Sequence, residues 1–139
     1  MSEHTILLIE DNPDDAELTR IAFSEAGIDS QLVVVGDGAE ALDYLFARGA
    51  HEARNAADLP SIVLLDLNLP KLDGREVLQA LRANPATRGL PVVVLTTSTE
   101  PFDVEASYAL GVNSYIRKPV DFKKFVEVVK QIGLYWLVL

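Results

Sequence analysis

Two short apolar runs in this chain end in acidic side chains. Residues 6–9 are followed by Glu10 and Asp11, and residues 62–65 are followed by Asp66. Such runs are typical of buried parallel strands, whose carboxyl ends all lie at the same edge of the sheet. We therefore expect the three carboxylates to meet at that edge. Their oxygens suit a hard divalent cation such as Mg²⁺, and without a cation the repulsion between adjacent acids is costly.

Two further runs bring a hydroxyl and an amine toward the same edge. Residues 92–95 lead to Thr96, and residues 113–117 lead to Lys118. A carboxylate accepts a phosphoryl group only where charge on the transferring oxygens is neutralised, and an ammonium and a hydroxyl both contribute to that. The pattern therefore outlines a phosphoryl-transfer site centred on Asp66.

The elements that must position these residues alternate between strand and helix along the chain. Strands are predicted at residues 5–9, 31–35, 62–66, 92–96 and 113–117. Five successive strand and helix units predict an α/β fold, in which a doubly wound parallel sheet carries helices on both faces, because right-handed crossovers leave few alternatives.

Three helices have recognisable start signals. Asn12 is a predicted N-cap, and Pro13 follows it at the first helical position. Residues 37–40 and 73–76 each place Asp three residues before Glu, which predicts a capping box. One connection, residues 49–60, spans 12 residues, whereas connections in α/β units usually have about 2–6. We expect a surface loop with a frayed helix end there, and a partner-binding insert is the alternative.

Composition limits the classes of function. The length of 139 residues predicts a single domain, residues 1–139, without an output domain. The net charge of −9 disfavours binding to nucleic acid or to an anionic membrane surface. No apolar run is long enough to span a bilayer, and the first residues do not resemble a signal peptide, so we expect a cytoplasmic protein. The chain has no cysteine, which excludes disulfides and thiol chemistry.

The order of these residues resembles the receiver domain of bacterial two-component response regulators. Paired acids, a lone Asp, a Thr and a Lys-Pro pair follow one another on the matching elements: Glu10-Asp11, Asp66, Thr96 and Lys118-Pro119. Residues 70–74, Pro91 and Tyr115 are similar as well. The resemblance implies a flavodoxin-like strand order, 2-1-3-4-5. The segment after the second helix and residues 93–98 look like the single-domain regulators that partner bacterial phytochrome histidine kinases.

The resemblance also implies a role for each site residue. Asp66 is the nucleophile that forms an aspartyl phosphate, and a sensor histidine kinase is the phosphoryl donor. Asp11 and Asp66 coordinate Mg²⁺ directly, Glu10 coordinates it through water, and the backbone carbonyl of Asn68 completes the set. Lys118 and Thr96 each contact one phosphoryl oxygen. Thr96 and Tyr115 form a switch that changes a binding surface.

Simpler roles compete with these for several residues. Asp14 and Asp15 are better explained as acids that favour a helix start. Thr97 is the closest competitor of Thr96, and Tyr115 is equally compatible with an ordinary strand position. Arg75, His4 and His51 are expected on the solvated surface.

Two other functional classes share this kind of sheet. A phosphohydrolase with an aspartyl nucleophile would need a second acid two residues after Asp66, where this chain has Asn68. A flavin carrier would have to bind an anionic phosphate beside Glu10 and Asp11, which is unfavourable. Asn68 and Ser98 also lack a carboxylate that could orient water, so we expect self-dephosphorylation to be slow.

The end of the chain carries a prediction of its own. Residues 134–139 are apolar on every side of a helix, so a single face cannot bury them all. Exposed patches of this kind usually mark interfaces, and aromatic residues often anchor them. We therefore expect a homodimer through the last helix and the residues Tyr135, Trp136 and Leu137. The alternative is that the tail folds back onto its own domain.

Overall fold

A computed structural model describes residues 4–28, 30–98, 100–118 and 121–133. Within these residues the strands are β1 (His4–Ile9), β2 (Ser30–Val35), β3 (Ile62–Leu65), β4 (Val92–Thr96) and β5 (Ser114–Arg117). The helices are α1 (Pro13–Glu25), α2 (Gly38–Phe46), α3 (Gly74–Ala83), α4 (Pro101–Ala109) and α5 (Phe122–Ile132). Each predicted strand is present, with ends that differ from the prediction by at most one residue.

The strands form one parallel sheet in the order β2-β1-β3-β4-β5. This confirms the doubly wound, flavodoxin-like fold. The register pairs Ile9 of β1 with Leu65 of β3. Because the next residue along each strand is acidic, Glu10 and Asp66 leave the sheet side by side.

The sheet separates two apolar cores. Alternate strand residues point to opposite faces, so Leu7, Ile9, Val63 and Leu65 pack with α2 and α3, whereas Ile6, Leu8, Ile62 and Leu64 pack with α1 and α5. All four residues of β3 are buried, because helices cover both faces of this central strand. The strand that leads to Asp66 is therefore packed on both faces.

The helix starts agree with the prediction in part. The side chain of Asn12 caps α1, and the side chain of Asp37 accepts a hydrogen bond of 2.7 Å from the backbone of Glu40. The Glu40 carboxylate accepts a hydrogen bond from the backbone N–H of Gly36, which is one residue before the N-cap Asp37. The predicted capping box at residues 73–76 is wrong. The Asp73 side chain accepts a hydrogen bond from the backbone N–H of Arg75, whereas a capping box requires the N–H of Glu76.

The segment 49–60 is folded against α2, so the expected frayed helix end is wrong. It begins with a short 3₁₀ helix, Gly49–His51. The guanidinium of Arg54 lies 3.8 Å from the centre of the Tyr44 ring and donates to the Tyr44 carbonyl. His51 is half-buried, packs edge-on against Tyr44 and lies 3.1 Å from a Glu40 carboxylate oxygen. His51 is therefore not the solvated surface residue that we expected.

No helix in the described ranges is long and apolar enough to cross a membrane. Several predictions fall on parts of the chain outside the description. They concern the side chain of His4, Pro119 and the proposed interface residues Tyr135, Trp136 and Leu137.

Candidate functional site

Asp66 lies immediately after β3, at the carboxyl edge of the sheet. Its backbone N–H donates to the Ile9 carbonyl at 3.1 Å, and its Oδ1 accepts the backbone N–H of Asn68 at 3.0 Å. Only 7% of the residue is exposed. The backbone contacts fix the position of this carboxylate, and little of it is exposed to solvent. Such a carboxylate is suited to reaction with one positioned partner.

The return of the chain toward α3 depends on Gly74. A Cβ atom at this position would lie 2.2 Å from the Asp66 carbonyl oxygen and 2.6 Å from the Cα atom of Leu67. The N–H of Gly74 donates to the Leu67 carbonyl at 3.0 Å. Glycine is therefore required for the close approach between α3 and the residues 66–67.

Three carboxylates form an acidic cluster at this edge. Oxygens of Glu10, Asp11 and Asp66 all lie within 4.8 Å of one another. Glu10 is 3% exposed, whereas Asp11 is exposed to solvent. Hard divalent cations bind such sets of oxygen ligands while keeping some of their water. The cluster confirms that these three residues meet, and its chemistry fits a divalent cation.

Lys118 follows β5 and reaches across the sheet edge into the acids. Its Nζ atom lies 2.5 Å from Glu10, 2.9 Å from Asp15 and 3.2 Å from Asp66. Burial, which leaves 11% of the side chain exposed, acts to lower the pKa of Lys118. The hydrogen bonds that Lys118 donates to Glu10 and Asp15, together with the charges of Asp66 and Glu10, outweigh burial and raise that pKa. The ammonium is therefore a fixed positive charge next to the carboxylate of Asp66.

Asp15 was expected only to favour the start of α1, and that prediction was incomplete. It does lie in the first turn, but its carboxylate also pairs with Lys118. No signal in the sequence indicated this role, because Asp15 and Lys118 are 103 positions apart.

Burial dominates the electrostatics of Glu10. It raises the pKa of Glu10 to about 7, with a further contribution from the charge of Asp66, although Lys118 acts in the opposite direction. Burial and the neighbouring acids disfavour the ionised form of Glu10, and a bound cation would stabilise that ionised form. Glu10 is thus consistent with a metal site.

The two candidate hydroxyls both lie beside Asn68. The side-chain amide of Asn68 donates to Thr97 at 3.1 Å and to the fully buried Thr96 at 3.4 Å. Thr96 also accepts the N–H of Ser98 at 3.4 Å, whereas Thr97 is exposed. These contacts keep both threonines near the site and do not choose between them.

Tyr115 of β5 is half-buried and packs against one of the two cores. Its hydroxyl donates to the carbonyl of Ser98 at 3.0 Å. The ring therefore lies against the connection from β4 to α4, which begins at the switch candidate Thr96.

Arg75 was expected on the solvated surface, and that prediction was wrong. Its Nε and Nη2 atoms donate to the two carboxylate oxygens of Asp103, at 2.7 and 2.6 Å. This pairing raises the pKa of Arg75 and holds the pKa of Asp103 below its usual range. No signal in the sequence indicated this pair, because the two residues are 28 positions apart on different helices.

Comparison with known proteins gives the family. A family model for the response regulator receiver domain matches residues 6–130. The chain belongs to the response regulator receiver family. The response regulator Rcp1 from Synechocystis sp. is 42% identical over 132 residues, which cover 95% of this chain and 88% of Rcp1. As a receiver domain, the chain is a phosphorylation-dependent signalling switch of a two-component system.

Two solved structures match the receiver fold along almost its whole length. The phosphorylated cyanobacterial phytochrome response regulator RcpA is 39% identical, with a TM-score of 0.86, and the match covers 99% of this chain and 96% of RcpA. The Mn²⁺-bound form of Rcp1 is 41% identical, with a TM-score of 0.85 and coverage of 97% and 95%. A divalent metal at the acidic cluster is consistent with the second match.

Proposed function

We propose that Asp66 accepts a phosphoryl group from a sensor histidine kinase. The observation that carries this proposal is the convergence on Asp66 of the Lys118 ammonium, 3.2 Å away, and of the acids Glu10 and Asp11. An ammonium close to the acceptor neutralises charge on the incoming phosphoryl oxygens. The buried position of Asp66 limits competition from bulk water.

The transfer would form an aspartyl phosphate. A carboxylate oxygen of Asp66 forms the new O–P bond while the P–N bond of the kinase phosphohistidine breaks. The electron pair of that bond stays on the imidazole nitrogen, which then takes up a proton. Lys118 holds one phosphoryl oxygen during this step, and the hydroxyl of Thr96 is the proposed partner of another.

We assign the metal site to Mg²⁺. The carboxylates of Glu10, Asp11 and Asp66 would hold the ion together with the backbone carbonyl of Asn68, because an oxygen-only set that leaves room for water suits Mg²⁺. When bound, the ion neutralises charge on the acceptor and on the phosphoryl oxygens. The adjacent Lys118 supplies the remaining positive charge.

The proposed aspartyl phosphate acts as a signal, and the protein is not proposed to turn over a small-molecule substrate. Asn68 places an amide two residues after Asp66, where a phosphohydrolase would need an acid, so we expect slow loss of the phosphate. Phosphorylation would draw Thr96 toward the acceptor, and Tyr115 would fill the space behind it. The changed surface of α4, β5 and α5 would then bind a partner.

The partners follow from composition and from the relatives. RcpA is a phytochrome response regulator, and we propose a bacterial phytochrome histidine kinase as the donor. The net charge of −9 makes nucleic acid and anionic membranes unfavourable partners, and the cytoplasm is the proposed location. We further propose that residues 1–139 act as a single domain.

Residues 134–139 would support a homodimer. Tyr135, Trp136 and Leu137 are the proposed anchors, because large apolar side chains that one domain cannot bury usually lie in an interface. Sedimentation of the wild type and of a Trp136→Glu, Leu137→Glu double variant tests this. We expect a wild-type dimer at micromolar concentration and a monomeric variant, and a wild-type monomer would refute the interface.

The test of the acceptor uses Mg²⁺ and acetyl phosphate. Intact mass spectrometry should show a single phosphoryl adduct on the wild type and none on Asp66→Asn, whose amide keeps the shape but is not a nucleophile. Asp58→Asn, in an exposed loop, is the matched control and should behave like the wild type. An undiminished adduct on Asp66→Asn would show that another residue is the acceptor.

A further inference from the structure

The ion pair between Arg75 and Asp103 joins two helices beside the acceptor. Arg75 lies in the first turn of α3 and Asp103 in the first turn of α4. The bond is bidentate, and only 6% of the Asp103 side chain is exposed. Two parallel charge-assisted bonds fix direction as well as distance, so the guanidinium and the carboxylate move together.

The Arg75 side of this pair reaches the acceptor loop. Its Nη1 atom donates to the carbonyl of Leu67 at 3.3 Å and to the carboxylate of Asp73 at 2.9 and 3.1 Å. Leu67 directly follows Asp66, and Asp73 is the N-cap of α3. A shift in the backbone after the acceptor would therefore move the guanidinium that holds α4.

The Asp103 side reaches both proposed switch residues through Ser98. The Ser98 hydroxyl donates to Asp103 at 2.6 Å, and its backbone N–H donates to Thr96 at 3.4 Å. The carbonyl of Ser98 accepts the Tyr115 hydroxyl at 3.0 Å. Asp103 is thus one residue removed from the hydroxyl beside the acceptor and from the aromatic ring on β5.

Stability alone gives a weak reason for this arrangement. Burying the Asp103 carboxylate costs desolvation free energy, and a well-packed apolar pair in place of a buried ion pair is often as stable or more stable. The ion pair restricts the relative orientation of Arg75 and Asp103 more than an apolar contact would, because hydrogen bonds require a narrow range of direction and length. A small change in the position of the Leu67 carbonyl would therefore change the geometry of the whole network.

We propose that Arg75 and Asp103 are positioning residues that transmit the state of the acceptor loop to α4 and Tyr115. The proposal rests on Asp66 as the phosphoacceptor. In this role, the pair couples the movement of Thr96 on phosphorylation to the movement of the α4 surface. Neither residue touches the phosphoryl group.

The test compares adduct formation with the response of α4. Beryllofluoride with Mg²⁺ serves as an analogue of the phosphoryl group, and fluorine NMR reports its binding at Asp66. Hydrogen exchange of residues 100–110 and the NMR signal of the Tyr115 ring report the response. In the wild type we expect the analogue to change exchange in α4 by about fivefold or more, which is the lower range of typical coupling between sites.

The informative variant is Arg75→Met combined with Asp103→Leu, because it leaves no buried charge unpaired and should remain folded. It should bind the analogue, but its α4 exchange should change by less than about twofold. Ser98→Ala should weaken the response of Tyr115 while leaving the ion pair in place. Glu105→Gln, on the exposed face of α4, should respond like the wild type.

The possible outcomes separate three explanations. A double variant that binds the analogue and keeps the full α4 and Tyr115 responses would overturn the proposal. A merely structural pair would raise exchange in α4 equally with and without the analogue, so the difference would persist. Failure of the wild type to bind the analogue at Asp66 would instead count against the phosphoacceptor assignment.

Discussion

The Nζ atom of Lys118 lies 2.5 Å from Oε1 of Glu10, although the two residues are 108 positions apart and their strands are separated by β3 and β4. The lysine side chain therefore extends across the site, and its Nζ atom also lies 3.2 Å from Asp66. This contact places the positive charge that follows β5 among the acids that follow β1 and β3. A cation bound at the acidic cluster would therefore share the carboxylates of Glu10 and Asp66 with Lys118.

Mg²⁺ should stabilise the folded protein through Asp11. At 100-fold over its dissociation constant, an ion that binds only the folded state contributes about 2.7 kcal/mol. Asp11→Asn should remove most of this gain, and because Asp11 is exposed, the variant should keep its stability without metal. Thermal unfolding with and without Mg²⁺ measures the effect.

The matched control for Asp11 is Asp14→Asn, an exposed acid in the first turn of α1. It should keep the full response to Mg²⁺. An unchanged response in Asp11→Asn would remove that residue from the metal site.

Lys118→Met should separate metal binding from phosphoryl binding. Removing the ammonium leaves Glu10 and Asp66 without their partner, so Mg²⁺ should bind at least as tightly as in the wild type. The adduct with acetyl phosphate should form more slowly, because a missing donor of this kind typically costs about 100-fold or more in rate. Calorimetry for Mg²⁺ and mass spectrometry for the adduct distinguish the two effects.

Two comparisons make the Lys118 result specific. Lys123→Met, on the exposed side of α5, should match the wild type in both assays. Thr96→Ala should bind Mg²⁺ normally and lose the structural response to the adduct. A phosphorylated Thr96→Ala protein with full affinity for the partner would exclude Thr96 from the switch.

The sequence predicts the parts of this site that depend on strand register. Apolar runs locate β1, β3 and β4, and parallel pairing then requires Glu10, Asp66 and Thr96 to emerge at one edge. The sequence does not predict contacts that depend on side-chain reach between distant elements. Asp15 meets Lys118, and Arg75 meets Asp103, only because particular rotamers bridge two helices or a helix and a strand. The local signal assigned Asp15 only to a helix start, which was true but incomplete, and no signal assigned a role to Asp103.

Gly74→Ala should disturb the acceptor directly. The new methyl group would overlap the carbonyl of Asp66, and strain of this kind in a packed region typically costs about 1–3 kcal/mol or more. Denaturant unfolding should show that loss, and adduct formation at Asp66 should slow with it. Gly89→Ala is the control, because a methyl group there meets no atom within 4 Å. Equal stability of the two variants would refute the proposed close approach.

The pair between Arg75 and Asp103 should give the protein a defined acid sensitivity. The hydrogen bonds from Arg75 hold the pKa of Asp103 below its ordinary value of 3.8. A carboxyl group whose pKa is lowered on folding stabilises the protein at pH values above the unfolded pKa, and this contribution disappears as the pH falls through the folded pKa. The free energy of unfolding of the wild type should therefore exceed that of Asp103→Asn near neutral pH. The difference should shrink between roughly pH 5 and pH 2, because the other acids titrate in both proteins and cancel. Urea unfolding across this range measures the difference, and a gap that stays constant or widens toward low pH would contradict the assigned ion pair.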